Sequence, residues 1–442
     1  MRFMKKTLFI LMIFAAAFAA AEDYSLEDYL ARVERFSKDL TLSRQDVEKA
    51  DVTVSQAWSA LLPTVGVQGG YTRNLWDIEQ STPVGVNLPA GPSGFYPLAR
   101  QEIDSNMDNE LSLGVGVEQT IFNMKAIAAL RASRQYKNLY GTAYDEAKRL
   151  ITNAARKAYF GAVLQREVLS VREASEKNAF AVYDDMKKRY EAGMAQELEM
   201  LRAEVTWQTS IPEVTRARKN LEIAVVQLKT LAGIDLAESI ELVTPLSRYP
   251  ELPQEISPEE SYARRSDYAL LLQQKEIAEI SIALAEADFY PVISASLNLA
   301  RQGYGNKAQL MDTHVDVLQL GLRVALPVYT GGARRNQLKI EKLNLGMQDT
   351  QLAKKRDDIQ AEITGLYLSL KEAWERIESS RMTVETAEKA YRLARVALEN
   401  GLATQLEVSE SATQLEQIQL LYYSSVYEYL SLYFDWEKAL GL

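Results

Sequence analysis

The chain has 442 residues, a formal net charge of −10 at pH 7 and no cysteine. An acidic chain argues against nucleic acid as a partner, because binding phosphate requires clustered Lys and Arg. With a single histidine and no thiol, the common zinc, thiolate and Ser-His-Asp chemistries are nearly excluded. The composition therefore predicts a protein that is not an enzyme and needs neither a cofactor nor a metal.

The N-terminus carries two lysines, Lys5 and Lys6, followed by an apolar run over residues 8–18 and the small residues 19–21. This order is typical of a secretory signal peptide, which we expect to comprise residues 1–21. The apolar run is too short to span a bilayer as a helix, although a retained membrane anchor is the alternative. Because no cysteine follows, we expect no attached lipid.

Prolines are confined to a few places and leave two long proline-free stretches, residues 98–211 and 328–442. Both stretches are rich in good helix formers, and apolar residues recur three or four positions apart, as in Leu150, Ala154 and Ala158. This pattern predicts very long amphipathic helices, since proline would block interior helix hydrogen bonds. A helix over residues 125–189 would be about 100 Å long, which exceeds an ordinary globular core.

The two halves of the chain repeat one another. Residues 190–199 align with residues 398–407, and residues 58–63 align with residues 286–291. We therefore predict a first repeat over residues 22–233 and a second over residues 258–442. Each is expected to contain a helix, a strand pair and a long helical hairpin. The proline-rich segment 234–257 separates the repeats, either as a simple linker or as a structured band.

Four segments alternate between apolar residues and small or polar ones. They comprise residues 64–73, 110–119, 292–301 and 317–326. Such segments are expected of outer-membrane strands around a wet lumen, whereas a sheet packed on a soluble core is the alternative. Four strands cannot close a barrel, and unpaired backbone groups are costly in lipid, so we expect several copies to pool their strands.

The connections between paired strands are residues 74–110 and 302–316, which we expect to be extracellular loops, with the helices at the opposite edge. His314 falls in the second loop, and no role is assigned to it. Trp58, Tyr71 and Tyr329 flank the strands where an aromatic girdle would lie, with core packing as the alternative for Trp58.

A short motif follows the fourth strand, Leu326-Pro-Val-Tyr-Thr-Gly-Gly-Ala-Arg-Arg335, and residues 120–123 echo it weakly. Together with the two glycine-centred segments around Gly193 and Gly401 and the duplicated layout, this motif resembles the TolC family of outer-membrane efflux proteins, also called outer membrane factors. The resemblance covers essentially the whole mature chain. It implies a mixed α/β membrane protein, in which a homotrimer forms a 12-stranded β-barrel, four strands per protomer, continued by a long periplasmic α-helical barrel.

The resemblance also implies partners and a location. The barrel would lie in outer-membrane lipid, and the lower end of the helical part would dock on a periplasmic adaptor, or membrane fusion, protein and an inner-membrane transporter. Segment 234–257 would wrap the equator of the helical tunnel.

Gly193 and Gly401 each lie between two helical patterns, where glycine can turn the chain at positive φ. They are predicted to be the tips of helical hairpins, with an ordinary helix C-cap as the alternative. The resemblance implies that the tips, at Gly193, Met194, Gly401 and Leu402, contact the adaptor.

Glu407 and Glu410 follow the second tip and lie three residues apart, hence on one helical face. By the resemblance they match an acidic ring at the closed periplasmic mouth, and Glu199 matches an acid of the neighbouring hairpin. Six carboxylates from three copies would favour cations, and crowding should raise some of their pKa values. The alternative is that they are ordinary solvated glutamates. Leu398 and Ala403 replace a tyrosine and an arginine that latch the mouth in the family's best-known pattern.

The predicted function is therefore a passive efflux conduit across the outer membrane and periplasm, driven by a separate inner-membrane pump. A duct of a type I protein secretion system has the same expected fold and stays open. A periplasmic coiled-coil scaffold without a pore is the alternative from another class. Pairs of carboxylates also occur in glycosidases, but here they lie on charged helical faces.

Overall fold

The computed structural model describes residues 22–75, 79–85, 98–104, 108–305 and 313–442, so the predicted signal peptide lies outside the described residues. Helices and strands follow in the order β1 (Glu22–Tyr24), α1 (Leu26–Phe36), α2 (Lys38–Ser59), β2 (Thr64–Arg73), β3 (Glu79–Gly85), β4 (Leu98–Asp104), β5 (Asn109–Asn123), α3 (Met124–Glu191), α4 (Glu197–Ala232), β6 (Ile240–Leu242), α5 (Ser266–Ala287), β7 (Val292–Gly305), β8 (Thr313–Ala325), α6 (Ala333–Glu399) and α7 (Gln405–Leu440). The chain divides into a first unit (1–48, 139–272 and 350–442) and a second unit (49–138 and 273–349).

The second unit contains a four-stranded sheet with the order β2-β5-β7-β8, antiparallel throughout. One row of the register joins Val67, Val115, Leu299 and Leu318 across all four strands. Because side chains alternate between faces, this register places the apolar residues of every strand on one face. Val67 is 81% exposed and Leu320 is 83% exposed, so this apolar face is uncovered in the single chain.

The strands differ from the predicted segments at their outer ends. The β7–β8 ladder extends to Tyr304 paired with Thr313, so the connection between them is shorter than expected. His314, which we expected in a loop, instead lies in β8 opposite Gly303. This extension could not be predicted from alternation, because the apolar alternation ends before the hydrogen-bonded ladder does.

The connection 74–110 was predicted to be a loop, yet it contains a second antiparallel ribbon, formed by β3 and β4. Pro83 pairs with Arg100 within it. Proline lacks an N–H, but a two-stranded ribbon tolerates it because each strand has one free edge. Proline and polar residues in this segment concealed the strands from a reading based on alternation.

All strand ends that connect to helices lie at one end of this sheet, as predicted: β5 and β8 finish there, and β2 and β7 begin there. The register of β5 shifts between Thr120 and Phe122, and the strand then passes directly into α3. The Asn123 side chain accepts hydrogen bonds from the N–H groups of Lys125 (3.0 Å) and Ala126 (3.2 Å). Asn123 therefore caps the helix that the strand becomes.

The first unit consists mainly of helices packed around aromatic and aliphatic side chains. Tyr29, Tyr159 and Tyr429 are completely buried. The Tyr29 hydroxyl donates to the carbonyl of Leu228 (3.1 Å), and the Tyr159 hydroxyl donates to the carbonyl of Tyr24 (2.7 Å). These bonds satisfy polar groups that would otherwise be costly inside the core.

The predicted very long helices are present: α3 has 68 residues and α6 has 67. None of the helices in the described residues combines membrane-spanning length with sufficient apolar character. In the segment 234–257, β6 pairs in parallel with β1, and the ring of Tyr249 packs edge-on against Trp374, with 6.0 Å between ring centroids. This segment is therefore folded onto the first unit.

Candidate functional site: the hairpin tips and the first turns beyond them

The first helical hairpin joins α3 to α4 through a tight turn at Gly193, whose φ is +72°. The N–H of Gly193 donates to the carbonyl of Tyr190 (2.9 Å), and the N–H of Met194 donates to the carbonyl of Arg189 (2.7 Å). This pair of bonds is a Schellman motif, which closes the C-terminus of a helix and favours glycine. The space around Gly193 is open, so backbone conformation, and not crowding, calls for glycine.

The second hairpin, between α6 and α7, reproduces this turn at Gly401, where φ is again +72°. The N–H of Gly401 donates to the carbonyl of Leu398 (3.0 Å), and the N–H of Leu402 donates to the carbonyl of Ala397 (2.8 Å). The sequence alignment of the two tips therefore corresponds to matching backbone geometry. Both glycines have the hairpin-tip conformation that the sequence predicted.

In the single chain, two of the glutamates that were predicted to line a gate act as helix caps. The N–H of Thr404 donates to Oε2 of Glu407 (2.7 Å), and the N–H of Glu407 donates to Oγ1 of Thr404 (3.3 Å). In the first hairpin, the N–H of Gln196 donates to Oε2 of Glu199 (3.4 Å). These are capping boxes, in which the third residue of a helix bonds back to the residue that precedes it.

The capping bonds change the expected electrostatics of Glu407. Hydrogen bonds from the backbone and side chain of Thr404 stabilise the carboxylate and lower the pKa of Glu407 below its usual value. This direction is opposite to the rise expected from carboxylate crowding. Within one chain, the local hydrogen bonds therefore favour the ionised form of Glu407. This role was not predicted, although Thr404-x-x-Glu407 is a recognisable capping signature.

Glu410 is exposed and belongs to a polar stripe on α7, which comprises Glu407, Glu410, Gln414 and Gln417. These residues follow the three- and four-residue spacing of a single helical face. Ser409, Thr413 and three members of the stripe, beginning at Glu410, border a shallow depression of about 370 Å³. The structure therefore keeps Glu407 and Glu410 on one exposed polar face, as their spacing predicted.

Glu199 lies elsewhere, in a groove of about 1040 Å³ between α3, α4 and α7. Neither Glu407 nor Glu410 lines this groove. At one end of it, Arg172 pairs with Glu416 and lies 3.9 Å from Glu213, while the Ser175 hydroxyl donates to Glu416 (2.6 Å). A single chain thus brings together two of the three predicted gate residues and separates the third.

An aromatic clamp also distinguishes the two hairpins. Trp207 on α4 stacks on Tyr183 of α3, with ring centroids 5.3 Å apart, and it also contacts Phe180 at 5.1 Å. Its indole N–H donates to Glu176 (3.3 Å). Leu415 occupies the aligned position in the second hairpin. The duplication therefore preserves the turns, while the side chains that hold the helices together differ.

Comparison with known proteins identifies the family of this chain. The profile of the family described as "Outer membrane efflux protein" matches residues 31–234 and 258–431. The chain belongs to the outer membrane efflux protein family. The family consists of efflux channels, and the two matched stretches agree with the internal two-fold repeat.

Relatives and solved structures of this family resemble the chain along most of its length. Outer membrane protein TolC of Escherichia coli (strain K12) is 22% identical over an alignment of 415 residues, which covers 91% of this chain and 79% of TolC. Nodulation protein T of Rhizobium leguminosarum bv. trifolii is 21% identical, with 90% and 81% covered.

Among solved structures, the CmeC outer membrane channel of Campylobacter jejuni has a TM-score of 0.76 at 18% identity, covering 94% of this chain and 85% of CmeC. The open state of the MtrE channel of Neisseria gonorrhoeae has a TM-score of 0.72 at 17% identity, covering 94% of this chain and 88% of MtrE. These likenesses confirm the predicted fold. This family member is an outer-membrane efflux duct with a periplasmic helical part.

Proposed function

We propose that three copies of the chain form one duct with a shared barrel. The observation that carries this proposal is the four-stranded sheet, whose edge strands β2 and β8 have no further neighbour in the described part of the chain. Open strand edges are costly in lipid, and the apolar face of the sheet is exposed. Pairing β8 of one copy with β2 of the next joins three sets of four strands into a closed barrel of twelve.

The helical hairpins continue this duct through the periplasm and end at the two tips. Met194 and Leu402 are apolar side chains at these tips, and they are 75% and 83% exposed. The turns at Gly193 and Gly401 place these side chains at the ends of the two hairpins. Both side chains are therefore accessible to a protein partner at the hairpin tips. We assign this contact to a periplasmic adaptor, which connects the passive duct to an inner-membrane transporter.

The mouth of the duct is formed by the polar stripe of α7. Three copies of Glu407 and Glu410 bring six carboxylates to the constriction, which favours cations over anions. Glu199 contributes from the groove of the neighbouring hairpin rather than from the same face. Hydrogen bonds from Thr404 lower the pKa of Glu407, which opposes the rise that carboxylate crowding would cause.

The test is ion selectivity in planar bilayers. Glutamine can replace glutamate in a capping box, so Glu407→Gln combined with Glu410→Gln removes charge while retaining the cap. The double variant should form the same oligomer in detergent, and its reversal potential in a KCl gradient should move toward that of a non-selective pore. Glu259→Gln, an exposed acid outside both hairpins, serves as the matched control.

Each result of the recordings has a separate meaning. Unchanged selectivity in the double variant removes these glutamates from the constriction but leaves the duct in place. An oligomer of the unaltered protein that conducts no ions contradicts the duct itself and favours a periplasmic scaffold.

The names of two relatives support a proposal about the cargo. They are the pyoverdine export outer membrane protein OpmQ of Pseudomonas putida and the fusaric acid resistance protein FusA of Burkholderia cepacia, each 24% identical to this chain. Both names refer to individual compounds rather than to exported proteins. We therefore assign small-molecule efflux ahead of type I protein secretion. A deletion strain should become more sensitive to toxic compounds while its secreted proteins are unchanged, and loss of a secreted protein would reverse this order.

A further inference from the structure

The segment that joins β8 to α6 exposes an unusual amount of apolar surface. This segment, residues 326–332, is called the collar turn below. Val328 is 86% exposed and Tyr329 is 85% exposed, and more than half of Leu326 is accessible. Leu326 and Val328 continue the even-numbered alternation of Leu320, Leu322 and Val324 beyond the end of the strand. The collar turn therefore extends the apolar row of β8.

One side chain, that of Arg334, fixes the conformation of the collar turn. Arg334, in the first turn of α6, donates from Nη2 to the carbonyl of Val328 (3.1 Å) and from Nε to the hydroxyl of Thr330 (3.1 Å). Its Nη1 donates to the carbonyl of Asp288 (2.9 Å), and its guanidinium lies 4.8 Å from the ring centroid of Phe289. Arg334 thus fastens the collar turn to the segment that enters β7.

The apolar face ends abruptly at the outer side of β8. Arg301 and Asp316 are paired in the register on this same face, and two hydrogen bonds of 2.6 Å join the guanidinium to the carboxylate. Between this ion pair and the end of β8, apolar residues on this face run only from Leu318 to Val324. The charged pair marks the outer limit of the apolar row on β8, whereas on the neighbouring strands apolar residues such as Leu111 and Tyr71 continue further out. On β8 itself, further apolar height must therefore come from the inner end.

The strand alone is too short for the membrane. Six residue steps from Leu318 to Val324 span about 20 Å along the strand, at roughly 3.3 Å per residue. A strand tilt of about 40° reduces this to about 15 Å of height, whereas the apolar band of an outer-membrane barrel is about 25 Å tall. The collar turn is the next apolar surface at the inner end and can supply the difference.

Because the channel resides in the outer membrane, we propose that the collar turn inserts into the periplasmic leaflet of that membrane. Val328 lies among the acyl chains, Tyr329 lies at the headgroup level, and Arg334 is the positioning residue that aims both. Aromatic rings with a polar tip favour this interfacial depth. Arg335, exposed in the first turn of α6, places a positive charge beside lipid phosphates. The collar turn contacts phospholipid, because it continues the lipid-facing apolar row of β8.

The absence of cysteine makes a direct test possible. Tyr329→Cys and, as a control, Leu402→Cys at a hairpin tip are each labelled with an environment-sensitive fluorophore. The intact oligomer is then reconstituted into phosphatidylethanolamine and phosphatidylglycerol vesicles that contain spin-labelled lipid. The probe at position 329 should shift to the blue and be quenched, at a depth within about 10 Å of the headgroup boundary. The probe at position 402 should show neither effect.

Two outcomes overturn the proposal. If the probe at position 329 is quenched no more than the one at position 402, the collar turn is outside the membrane. If its emission shifts to the blue without quenching by the lipid label, a second copy of the chain covers the turn instead.

The role of Arg334 is tested on the Tyr329→Cys background. Arg334→Ala should reduce quenching of the probe, because the collar turn loses two hydrogen bonds and its connection to Asp288, while ion conductance and oligomer size stay the same. Arg334→Lys should restore little, since one ammonium cannot reproduce the forked bonds. Lys342→Ala, which removes an exposed cation further along α6, is the control and should leave quenching unchanged. Equal quenching in Arg334→Ala and the parent removes Arg334 from this role.

Discussion

Asp267 is the centre of a charged cluster in the first unit, and its replacement by asparagine gives a sharp stability prediction. Its carboxylate accepts two hydrogen bonds from Arg265 (2.9 and 2.7 Å) and lies 2.7 Å from Nζ of Lys355. Arg265 also pairs with Glu362 (2.8 Å) and donates to the carbonyl of Ala439 (2.7 Å). Only 6% of the Arg265 side chain is exposed, so its positive charge depends on these partners.

The size of the effect follows from what the variant leaves behind. Removing one partner of a fully buried ion pair costs about 3–5 kcal/mol, because the other charge is left uncompensated. Here Asp267 is 24% exposed, and Arg265 keeps Glu362 and a carbonyl as acceptors, so solvent screening and the remaining bonds reduce the loss. We expect Asp267→Asn to lower the free energy of unfolding by about 2 kcal/mol at pH 7.

The pH dependence has a defined sign. Burial alone would raise the pKa of Asp267, but hydrogen bonds from Arg265 and Lys355 outweigh it and hold the pKa well below its usual range. A carboxyl with a depressed folded-state pKa contributes stability above its unfolded pKa, and this stability is lost as the pH falls toward the folded value. The gap between the parent protein and Asp267→Asn should therefore be complete at neutral pH and shrink below about pH 4.

Urea unfolding of the detergent-solubilised protein, followed by far-ultraviolet circular dichroism, measures this gap. Asp184→Asn is the control, because its pair with Lys188 is exposed and contributes little. Equal midpoints for Asp267→Asn and the parent at pH 7 would refute the reasoning. A difference that stays constant down to pH 3 would show that lost packing, and not lost charge, is responsible.

Two further substitutions test other parts of the structure by the same assay. Burial, followed by the charge of Asp267, raises the pKa of Glu146, so its ionised form is disfavoured in the folded chain. Glu146→Gln should therefore raise the urea midpoint at pH 7. This gain should vanish near pH 4, because the carboxyl then protonates in both the folded and the unfolded state. Gly193→Ala, in open space at positive φ, should cost about 1–2 kcal/mol. Gly441→Ala should cost more, because its Cβ would lie 2.7 Å from a backbone carbonyl; equal losses would contradict the steric argument.

Much of the fold could be predicted because it rests on local patterns. The alternation in residues 64–73 specifies a strand with one apolar face, and the matching glycines at 193 and 401 specify helix ends at positive φ. Neither inference requires knowledge of distant residues. The ribbon of β3 and β4 was missed because Pro83 and polar residues disrupt the alternation, while backbone pairing still forms.

The site was harder to predict, because side-chain partners depend on tertiary structure. Glu407 and Glu410 keep the shared face that their spacing predicts, yet Glu407 also caps its own helix and Glu199 faces a different groove. The bonds from Arg334 to Val328 and Asp288 join segments about forty residues apart in sequence, and no periodicity reveals such a contact. Spacing fixes which face a residue occupies, whereas its bonding partner depends on how the elements pack.

The two open edges of the sheet have a consequence for biogenesis. β8 carries Leu318, Leu320 and Leu322 in exposed positions beside unpaired backbone groups, and all ten residues of β2 are exposed. Strands with these properties promote aggregation of newly exported chains. The same backbone groups that would close the barrel can also join chains in the wrong stoichiometry. Productive membrane insertion therefore competes with aggregation. Periplasmic holdase chaperones that cover these strands would increase the yield of functional channels.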